Sequence, residues 1–295
     1  MHPPSVGRRP KTRPIPGANC SMFIGNINLD VPVVMGILNI TPDSFSDGGR
    51  FLKRDDALRR AAAMLESGAA IIDVGGESTR PGAARISEDE EIGRVLPVIE
   101  AICDVTDAPV SVDTSKPGVM RAAVGAGAAM INDVRALQEP GALDAVAELQ
   151  RPVCLMHMQG QPQTMQDKPQ YTDVTAQVRQ FLAKRIQCCV DAGIGRELIM
   201  VDPGFGFGKS HMHNVELLAN LRQLLDLGQP VMVGLSRKSM LGELTGREMN
   251  ERLPAGIAAA VIALQSGADI LRVHDVAATV DALKVAQAVA EARLN

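Results

Sequence analysis

The chain has 295 residues, a length typical of one α/β barrel, and its 46% hydrophobic and 22% charged residues are ordinary for a globular protein. A formal net charge of −4 excludes an overall attraction to nucleic acid or anionic membranes, so any anion binding must come from local geometry. The five cysteines show neither CxxC spacing nor a disulfide framework, which favours a reduced, cytoplasmic setting. No apolar stretch is long enough to span a membrane. We expect a flexible leader over residues 1–21 and a single domain over residues 22–295.

Eight short apolar runs predict β-strands that are buried on both faces. The runs are VVMGILNI from Val33, AIIDVGG from Ala70, PVSVDT from Pro109, AMINDV from Ala129, PVCLMH from Pro152, LIMVDPG from Leu198, PVMVGLS from Pro230 and DILRVHD from Asp269. Amphipathic stretches between them predict helices, for example from Asp55 and from Asn250. Strict alternation of strand and helix predicts an α/β fold, a single (β/α)8 TIM barrel. An open doubly wound sheet is the rival, and the lack of a dinucleotide fingerprint disfavours it.

The carboxyl ends of the predicted strands carry polar residues, and in a barrel these ends form the active-site face. In chain order they are Asn39; Glu77, Ser78, Thr79 and Arg80; Asp113; Asn132 and Asp133; His157; Asp202; Ser236, Arg237 and Lys238; and Arg272, His274 and Asp275. Each Asn, Asp, Ser or Thr could simply cap the following helix, and we favour this explanation for Asp133 and Asp275. It explains Lys238, Arg272 and His274 poorly, because cations at a helix N-terminus oppose the helix dipole.

These residue types indicate a ligand with an anionic tail and a nitrogenous ring. Arg272 can form a fork with phosphate oxygens or lie flat on a ring, and Lys238 supplies a mobile point charge. The carboxylates of Asp113 and Asp202, with the amide of Asn132, suit a partner rich in N–H donors, such as an amino-substituted heterocycle. Aromatic residues make up only 2% of the chain, so ring stacking falls to few groups, and Phe207 and Arg272 are the candidates.

Other motifs indicate which cofactors are compatible with the sequence and which loops could cover the site. The segment DPGFGFGKS from Asp202 is not a nucleotide-binding phosphate loop, because the first glycine of GxxxxGK[ST] falls on Pro203. No HxH, HExxH or Cys/His cluster indicates zinc. A diphosphate would instead favour Mg²⁺, held by Asn39 and the substrate's own phosphates. Two loops rich in turn formers, NITPDSFSDGG (residues 39–49) and GGESTRPGA (residues 75–83), are predicted to be mobile covers. His157 fits equally well as a satisfied histidine at the rim.

Seven motifs carry a resemblance to a known family. They are MGILNITPDSFSDGGRF, IIDVGGESTRPGA, SVDTSK, INDV, MVDPGFGFGKS, GLSRKSM and RVHDV. From about Val33 to the last helix, the chain resembles the dihydropteroate synthases. The resemblance implies condensation of (7,8-dihydropterin-6-yl)methyl diphosphate with 4-aminobenzoate to give 7,8-dihydropteroate and diphosphate, in a homodimer that sulfonamides target.

The resemblance also implies a role for each polar strand end. Pterin binding falls on Asp113, Asn132, Asp202 and Lys238. Diphosphate binding falls on Asn39, Arg272 and His274, with Mg²⁺ on Asn39. The 4-aminobenzoate pocket falls on Phe45, Thr79, Arg80, Pro81, Phe207 and Ser236. The expected catalytic set is Asp113, Asp202, Lys238, Arg272 and His274. Diphosphate would depart to leave a delocalised pterin cation, and the neutral aromatic amine would capture it without a strong general base.

Two other readings of the sequence remain open. One is a pterin barrel that transfers a methyl group from methyltetrahydrofolate to a corrinoid protein; such a barrel shares the pterin carboxylates but does not need SRKS, RVH or the SFSDGG loop. The other is a catalytically silent pterin-binding barrel. Diphosphate release that depends on 4-aminobenzoate distinguishes all three.

Overall fold

The barrel predicted from the sequence is present in the computed structural model, which describes residues 22–41, 50–79, 82–160, 165 and 169–293. A short antiparallel hairpin, β1 (Phe23–Ile24) and β2 (Ile27–Asn28), comes first. The parallel strands follow as β3 (Val33–Asn39), β4 (Ile71–Gly75), β5 (Val110–Asp113), β6 (Met130–Asp133), β7 (Val153–Met156), β8 (Ile199–Asp202), β9 (Met232–Val233) and β10 (Ile270–Val273). Each lies within one of the eight apolar runs.

The eight strands close on themselves. Their hydrogen-bonded order is β8-β7-β6-β5-β4-β3-β10-β9, so neighbours in the chain are neighbours in the sheet except where β3 pairs with β10. A parallel bridge between Val201 and Val231 joins β8 to the residue before β9. The Val201 amide donates to the Pro230 carbonyl over 2.9 Å at the same seam. The rival open sheet is therefore excluded, since an open sheet has two free edges.

Helices cover the outside of the barrel. Within the described residues they are α1 (Arg50–Glu66), α2 (Glu88–Val105), α3 (Pro117–Gly125), α4 (Ala142–Leu149), α5 (Val174–Asp191), α6 (His211–Ala219), α7 (Ser239–Thr245), α8 (Leu253–Gln265) and α9 (Val276–Ala292). Helix α8 begins three residues later than Asn250, because Met249–Glu251 forms a separate 3₁₀ turn. Among the described helices, none is long and apolar enough to cross a membrane.

The barrel interior is filled by apolar side chains at its amino end. Inward-facing residues of the strands, among them Met35, Ile71 and Met200, pack in one buried cluster with residues of the N-terminal segment. Met22 and Ile24 belong to that cluster and are almost completely buried. The hairpin β1–β2, which with Met22 forms a plug at the amino end of the barrel, was not predicted from the sequence. Because the plug closes the amino end, ligands have access to the interior only from the carboxyl end of the strands.

Candidate active site

Four neighbouring strands place a glycine and three polar residues at one level of the barrel. In the strand register, Asn39 is opposite Gly75, Gly75 is opposite Asp113, and Asp113 is opposite Asn132. A Cβ atom added to Gly75 would lie 3.4 Å from Asn39 Oδ1 and 3.5 Å from Asp113 Cβ. Glycine therefore leaves the space between these two predicted site residues free of side-chain atoms.

The guanidinium of Arg272 lies at the centre of a buried ionic cluster. Its Nε donates to Asp73 Oδ2 and its Nη2 donates to Asp113 Oδ2, each over 2.6 Å. Asn132 Nδ2 also donates to Asp73 Oδ2, over 3.2 Å. The structure thus brings Asp113, Asn132 and Arg272 together as predicted. It adds Asp73, which sequence reasoning missed, although a carboxylate inside the apolar strand IIDVG was the available signal.

The cluster shifts the ionisation of its members. Burial raises the pKa of Asp113 to about 7, and the neighbouring Arg272 opposes that rise. Burial lowers the pKa of Arg272, but the carboxylates of Asp73 and Asp113 outweigh this effect and hold it above its ordinary value. Asp73 is fully buried, and its Oδ1 has no hydrogen-bond partner in the described residues. Arg272 therefore stays cationic, whereas Asp113 is close to taking up a proton at neutral pH.

A second group of site residues lies at the end of β8 and after β9. Asp202 accepts a hydrogen bond from the Gly204 amide over 2.7 Å, and burial raises the pKa of its carboxyl. Lys238 Nζ lies 4.2 Å from the ring centroid of Phe207, a cation–π contact. Burial and then Arg272 lower the pKa of Lys238 to about 8, while the carboxylate of Asp202 favours its charge. Phe207 is thus placed beside Lys238, as an aromatic face of the site.

The segment after Asp202, residues 203–208, is here called the glycine loop. Lys209 follows it and is buried, with Nζ bonded to Gly204 O and His157 Nδ1 over 2.9 Å each, and to Phe207 O over 3.0 Å. Burial and then Lys209 lower the pKa of His157 to about 2, so this ring is neutral. The hydrogen bonds of His157 favour the satisfied-histidine alternative that the sequence left open, and Lys209 is a second buried residue that was not selected from the sequence.

The ends of β9 and β10 are joined by side-chain contacts. Ser236 Oγ accepts from the His274 amide over 3.3 Å and lies 3.2 Å from His274 Nδ1. Burial, followed by Arg237 and Arg272, lowers the pKa of His274 to about 4. Asp275 receives a fork from Arg237, with Nη2 at 2.7 Å and Nε at 3.2 Å. Asp275 occupies the N-cap position of α9, as favoured from the sequence, but its carboxylate binds Arg237 and makes no cap hydrogen bond to the helix.

Asp133 likewise has a different role from the predicted helix cap. Its carboxylate accepts from the amides of Arg135 and Leu137 over 2.8 and 2.7 Å, and from Ser115 Oγ. Helix α4 begins only after Gly141, so Asp133 fixes the turn that follows β6 rather than the helix start. The cap prediction for Asp133 is therefore wrong, because the chain makes a further turn before the helix.

Ion pairs hold the start of the second predicted cover, residues 75–83. Lys116 Nζ binds both Glu77 and the buried Glu91, and Glu77 Oε2 also accepts from the Ile86 amide over 3.2 Å. Glu77 thus links the start of this segment to Ile86, just beyond its end, and to the residue before α3. Thr79 follows on the same segment and is half-buried. Three predicted pocket residues, Phe45, Arg80 and Pro81, lie outside the described residues.

No group of three or more His, Cys, Asp or Glu side chains that could hold a metal ion occurs in the part of the chain that the structure describes. Asn39, the predicted Mg²⁺ ligand, is half-buried at the carboxyl end of β3, beside the space above Gly75. One protein oxygen with several substrate oxygens is a usual arrangement for Mg²⁺. The donor set therefore fits a magnesium ion that arrives with a phosphorylated substrate, rather than an ion held by the protein alone.

A closed parallel barrel with ionisable groups from several strands converging at its carboxyl end is the architecture of an α/β-barrel enzyme. A family profile described as "pterin binding enzyme" matches residues 35–274. Dihydropteroate synthase of Escherichia coli K12 is 53% identical over 270 residues, which cover 92% of this chain and 96% of that protein. The chain belongs to the dihydropteroate synthase family of pterin binding enzymes.

Solved structures agree with this assignment. A Xanthomonas albilineans dihydropteroate synthase with 4-aminobenzoic acid has a TM-score of 0.85 and 56% identity, and the match covers 89% of this chain and 94% of that one. The enzyme of the same organism with 7,8-dihydropteroate has a TM-score of 0.82 and 53% identity, covering 89% and 95%. A Yersinia pestis enzyme in a sulfonamide complex has a TM-score of 0.87 and 50% identity, covering 92% and 99%.

Proposed function

We propose that this chain condenses (7,8-dihydropterin-6-yl)methyl diphosphate with 4-aminobenzoate, forming 7,8-dihydropteroate and diphosphate in folate synthesis. The observation that carries the proposal is the buried cluster of Asp113, Asn132 and Arg272 at the barrel mouth. It occurs in a chain more than half identical to curated dihydropteroate synthases. The relatives described above support this reaction rather than methyl transfer to a corrinoid protein.

The pterin ring would lie against the middle strands. Carboxylates accept hydrogen bonds from ring N–H and amino groups, so Asp113 and Asp202 suit the donor edge of an aminopterin. The amide of Asn132 can pair with a neighbouring ring atom, and Lys238 can donate to a ring acceptor. As diphosphate leaves, positive charge develops on the ring system, and two nearby carboxylates stabilise that charge in a site that excludes water.

The departing diphosphate would lie toward Asn39, Arg272 and His274. Arg272 already forms ion pairs with Asp73 and Asp113, so its cation is fixed in place before substrate arrives. Bound Mg²⁺ would neutralise charge on the leaving diphosphate, with Asn39 as its protein ligand. His274 is neutral at pH 7 because of its lowered pKa, and a bound anion would favour its protonated form.

The 4-aminobenzoate would lie between Phe207, Ser236 and the second cover. The ring of Phe207 offers an aromatic face, and Ser236 together with Thr79 offers hydroxyl groups. An aromatic amine is an uncharged nucleophile near pH 7, so no strong general base is required. A sulfonamide that resembles 4-aminobenzoate would compete for the same pocket, and a Yersinia pestis dihydropteroate synthase forms a complex with a sulfonamide drug.

We also propose a homodimer. Six of the ten exposed large hydrophobic side chains among the described residues fall between residues 244 and 289; they are Leu244, Met249, Leu253, Ile262, Val285 and Val289. An exposed apolar region on neighbouring helices is a common protein interface. Sedimentation equilibrium of the parent chain should give a dimer mass, and Ile262→Glu should shift it toward monomer. A parent chain that sediments as a monomer at micromolar concentration overturns this proposal.

Residues 103, 154, 188 and 189 are free cysteines. Cysteine at position 20 lies outside the described residues. Free thiols persist in reducing compartments, which supports our proposal that the protein works in the cytoplasm.

The decisive experiment measures diphosphate release and dihydropteroate formation in one reaction, with and without 4-aminobenzoate. We expect equal amounts of both products, and only with 4-aminobenzoate and Mg²⁺ present. Asp113→Asn and Arg272→Ala should each lower turnover by about 10² or more, as for groups that act on developing charge. Lys238→Ala should weaken binding of the pterin diphosphate in calorimetry. Absence of product from the folded parent protein would support the silent barrel instead.

A further inference from the structure

We infer that Lys209 is a positioning residue, whose buried amino group shapes the glycine loop and thereby sets the place of Phe207 in the site. The inference builds on the proposed function, in which Phe207 lines the 4-aminobenzoate pocket. Lys209 is only 2% exposed, and its side chain points away from solvent into backbone of the barrel rim. Neither the fold nor the proposed chemistry otherwise explains a lysine at this depth, where burial lowers the pKa of its amino group to about 7 and the group needs hydrogen-bond partners.

Three hydrogen-bond partners surround the amino group of Lys209. Its Nζ lies within 3.0 Å of Gly204 O, Phe207 O and His157 Nδ1, and it can donate to both carbonyls in either protonation state. The two carbonyls belong to different points of the glycine loop, and His157 is on the segment that follows β7. A single amino group therefore joins two parts of the loop and links them to the neighbouring segment.

The glycine loop packs so closely on the segment after β7 that side chains at Gly204 and Gly208 would not fit between them. Gly204 and Gly208 have φ angles of +70° and +62°. A Cβ atom on Gly204 would lie 1.9 Å from the His157 carbonyl oxygen, and one on Gly208 would lie 2.2 Å from the Gln159 carbonyl oxygen. The backbone of the loop therefore packs directly on the backbone of the neighbouring segment, and the hydrogen bonds of Lys209 anchor the loop there.

Phe207 connects this anchor to the site. Its carbonyl oxygen accepts from Lys209, while its ring faces Lys238 Nζ at 4.2 Å. When the anchor is lost, the carbonyl of Phe207 loses its partner in a partly buried setting and the loop rearranges to satisfy it. The ring then leaves its place beside Lys238, and the aromatic wall of the pocket moves with it.

A fluorescence experiment tests the position of the loop without relying on activity. The chain contains no tryptophan, so Phe207→Trp introduces a single reporter. We expect Lys209→Met in this background to raise the acrylamide quenching constant by about twofold or more, because the loop opens more readily. The matched control is Lys184→Met, on the exposed face of α5, which should leave quenching unchanged. Equal quenching in the Lys209 and Lys184 variants overturns the inference.

A kinetic experiment tests the consequence in the chain that retains Phe207. Lys209→Met should raise KM for 4-aminobenzoate about tenfold, while the affinity for the pterin diphosphate changes by less than about threefold. Lys209→Gln keeps two N–H donors and should fall between the parent and Lys209→Met, and it serves if the Met variant does not fold. Equal losses in both affinities, or an unchanged KM, contradict a positioning role. A parent chain without synthase activity refutes the proposed function only, because the fluorescence result stands by itself.

Discussion

Arg272 Nε donates to Asp73 Oδ2 over 2.6 Å, although the two residues are 199 positions apart in the sequence. They come from the last and the second strands of the barrel, on either side of β3. The contact therefore forms only when the first and last strands pair and the barrel closes. It fixes a guanidinium group that we propose to bind diphosphate, and it gives the first prediction.

Asp73→Asn should weaken both stability and activity. The substitution keeps the shape but removes a buried charge that balances Arg272, so we expect a loss of about 2 to 3 kcal/mol in the free energy of unfolding. The released guanidinium should lower kcat/KM for the pterin diphosphate by about tenfold or more. Urea unfolding and steady-state kinetics measure the two effects. Asp226→Asn, in an exposed pair with Arg179, is the control and should change stability by less than about 1 kcal/mol. A full retention of kcat/KM in Asp73→Asn contradicts the role of this ion pair.

Glu77→Gln should affect the 4-aminobenzoate side of the site. Glu77 binds Lys116 and the Ile86 amide, so its charge links the start of the second cover to the residue before α3 and to the segment that follows the cover. We expect KM for 4-aminobenzoate to rise about tenfold with little change in pterin diphosphate affinity. Glu148→Gln removes an exposed partner of Arg121, away from the second cover, and is the matched control. A Glu77 variant that is kinetically the same as this control would show that the contacts of Glu77 do not position the second cover.

Asp275→Asn should disturb the turn between Ser236 and Lys238. Arg237 lies between them with a φ of +60°, a left-handed conformation that is strained for a residue with a side chain. The fork to Asp275 holds it there. We expect the loss of this charge to lower kcat/KM about tenfold, through displacement of both neighbours. Asp281→Asn, on the exposed face of α9, should have no effect. The same result for both variants contradicts the proposal that the Arg237–Asp275 ion pair holds this turn.

His157 should make stability depend on pH. Burial lowers its pKa in the folded protein to about 2, below the ordinary value of 6.5, so the unfolded chain takes up a proton that the folded protein refuses. The His157 contribution is therefore lost as pH falls below 6.5, at about 1.4 kcal/mol per pH unit. The destabilisation caused by His157→Gln should accordingly shrink between pH 7 and pH 5 in urea unfolding. Tyr171→Phe, against the same ring, should cost the same at both values. A constant cost for His157→Gln contradicts the assignment.

The sequence predicted the barrel strands because each is buried on both faces and therefore reads as a continuous apolar run. It missed β1 and β2, because two-residue strands carry too little periodicity to be recognised. Polar residues at strand ends were found by position, which led to Asp113, Asn132, Asp202 and Arg272. Asp73 escaped this search because it lies inside its strand, and a charge there is satisfied only by partners distant in the sequence.

Lys209 escaped for a related reason. It follows the glycine loop and reads as a surface lysine before α6, yet its side chain turns inward to carbonyls that only the folded loop brings together. The functions favoured for Asp133 and Asp275 failed in the opposite way. Their residue type fits a helix cap, but the carboxylate of Asp133 accepts from the Leu137 amide in the turn after β6, and that of Asp275 binds Arg237. The residue type alone therefore does not distinguish a cap from a turn contact or a distant ion pair.

The hairpin β1–β2 gives the barrel a single entrance. Because Met22, Ile24 and Leu29 fill its floor, every molecule that reaches Arg272 must pass the rim at the other end and leave by the same route. Substrates and products therefore share one opening, and a bound product blocks the next substrate until it has left.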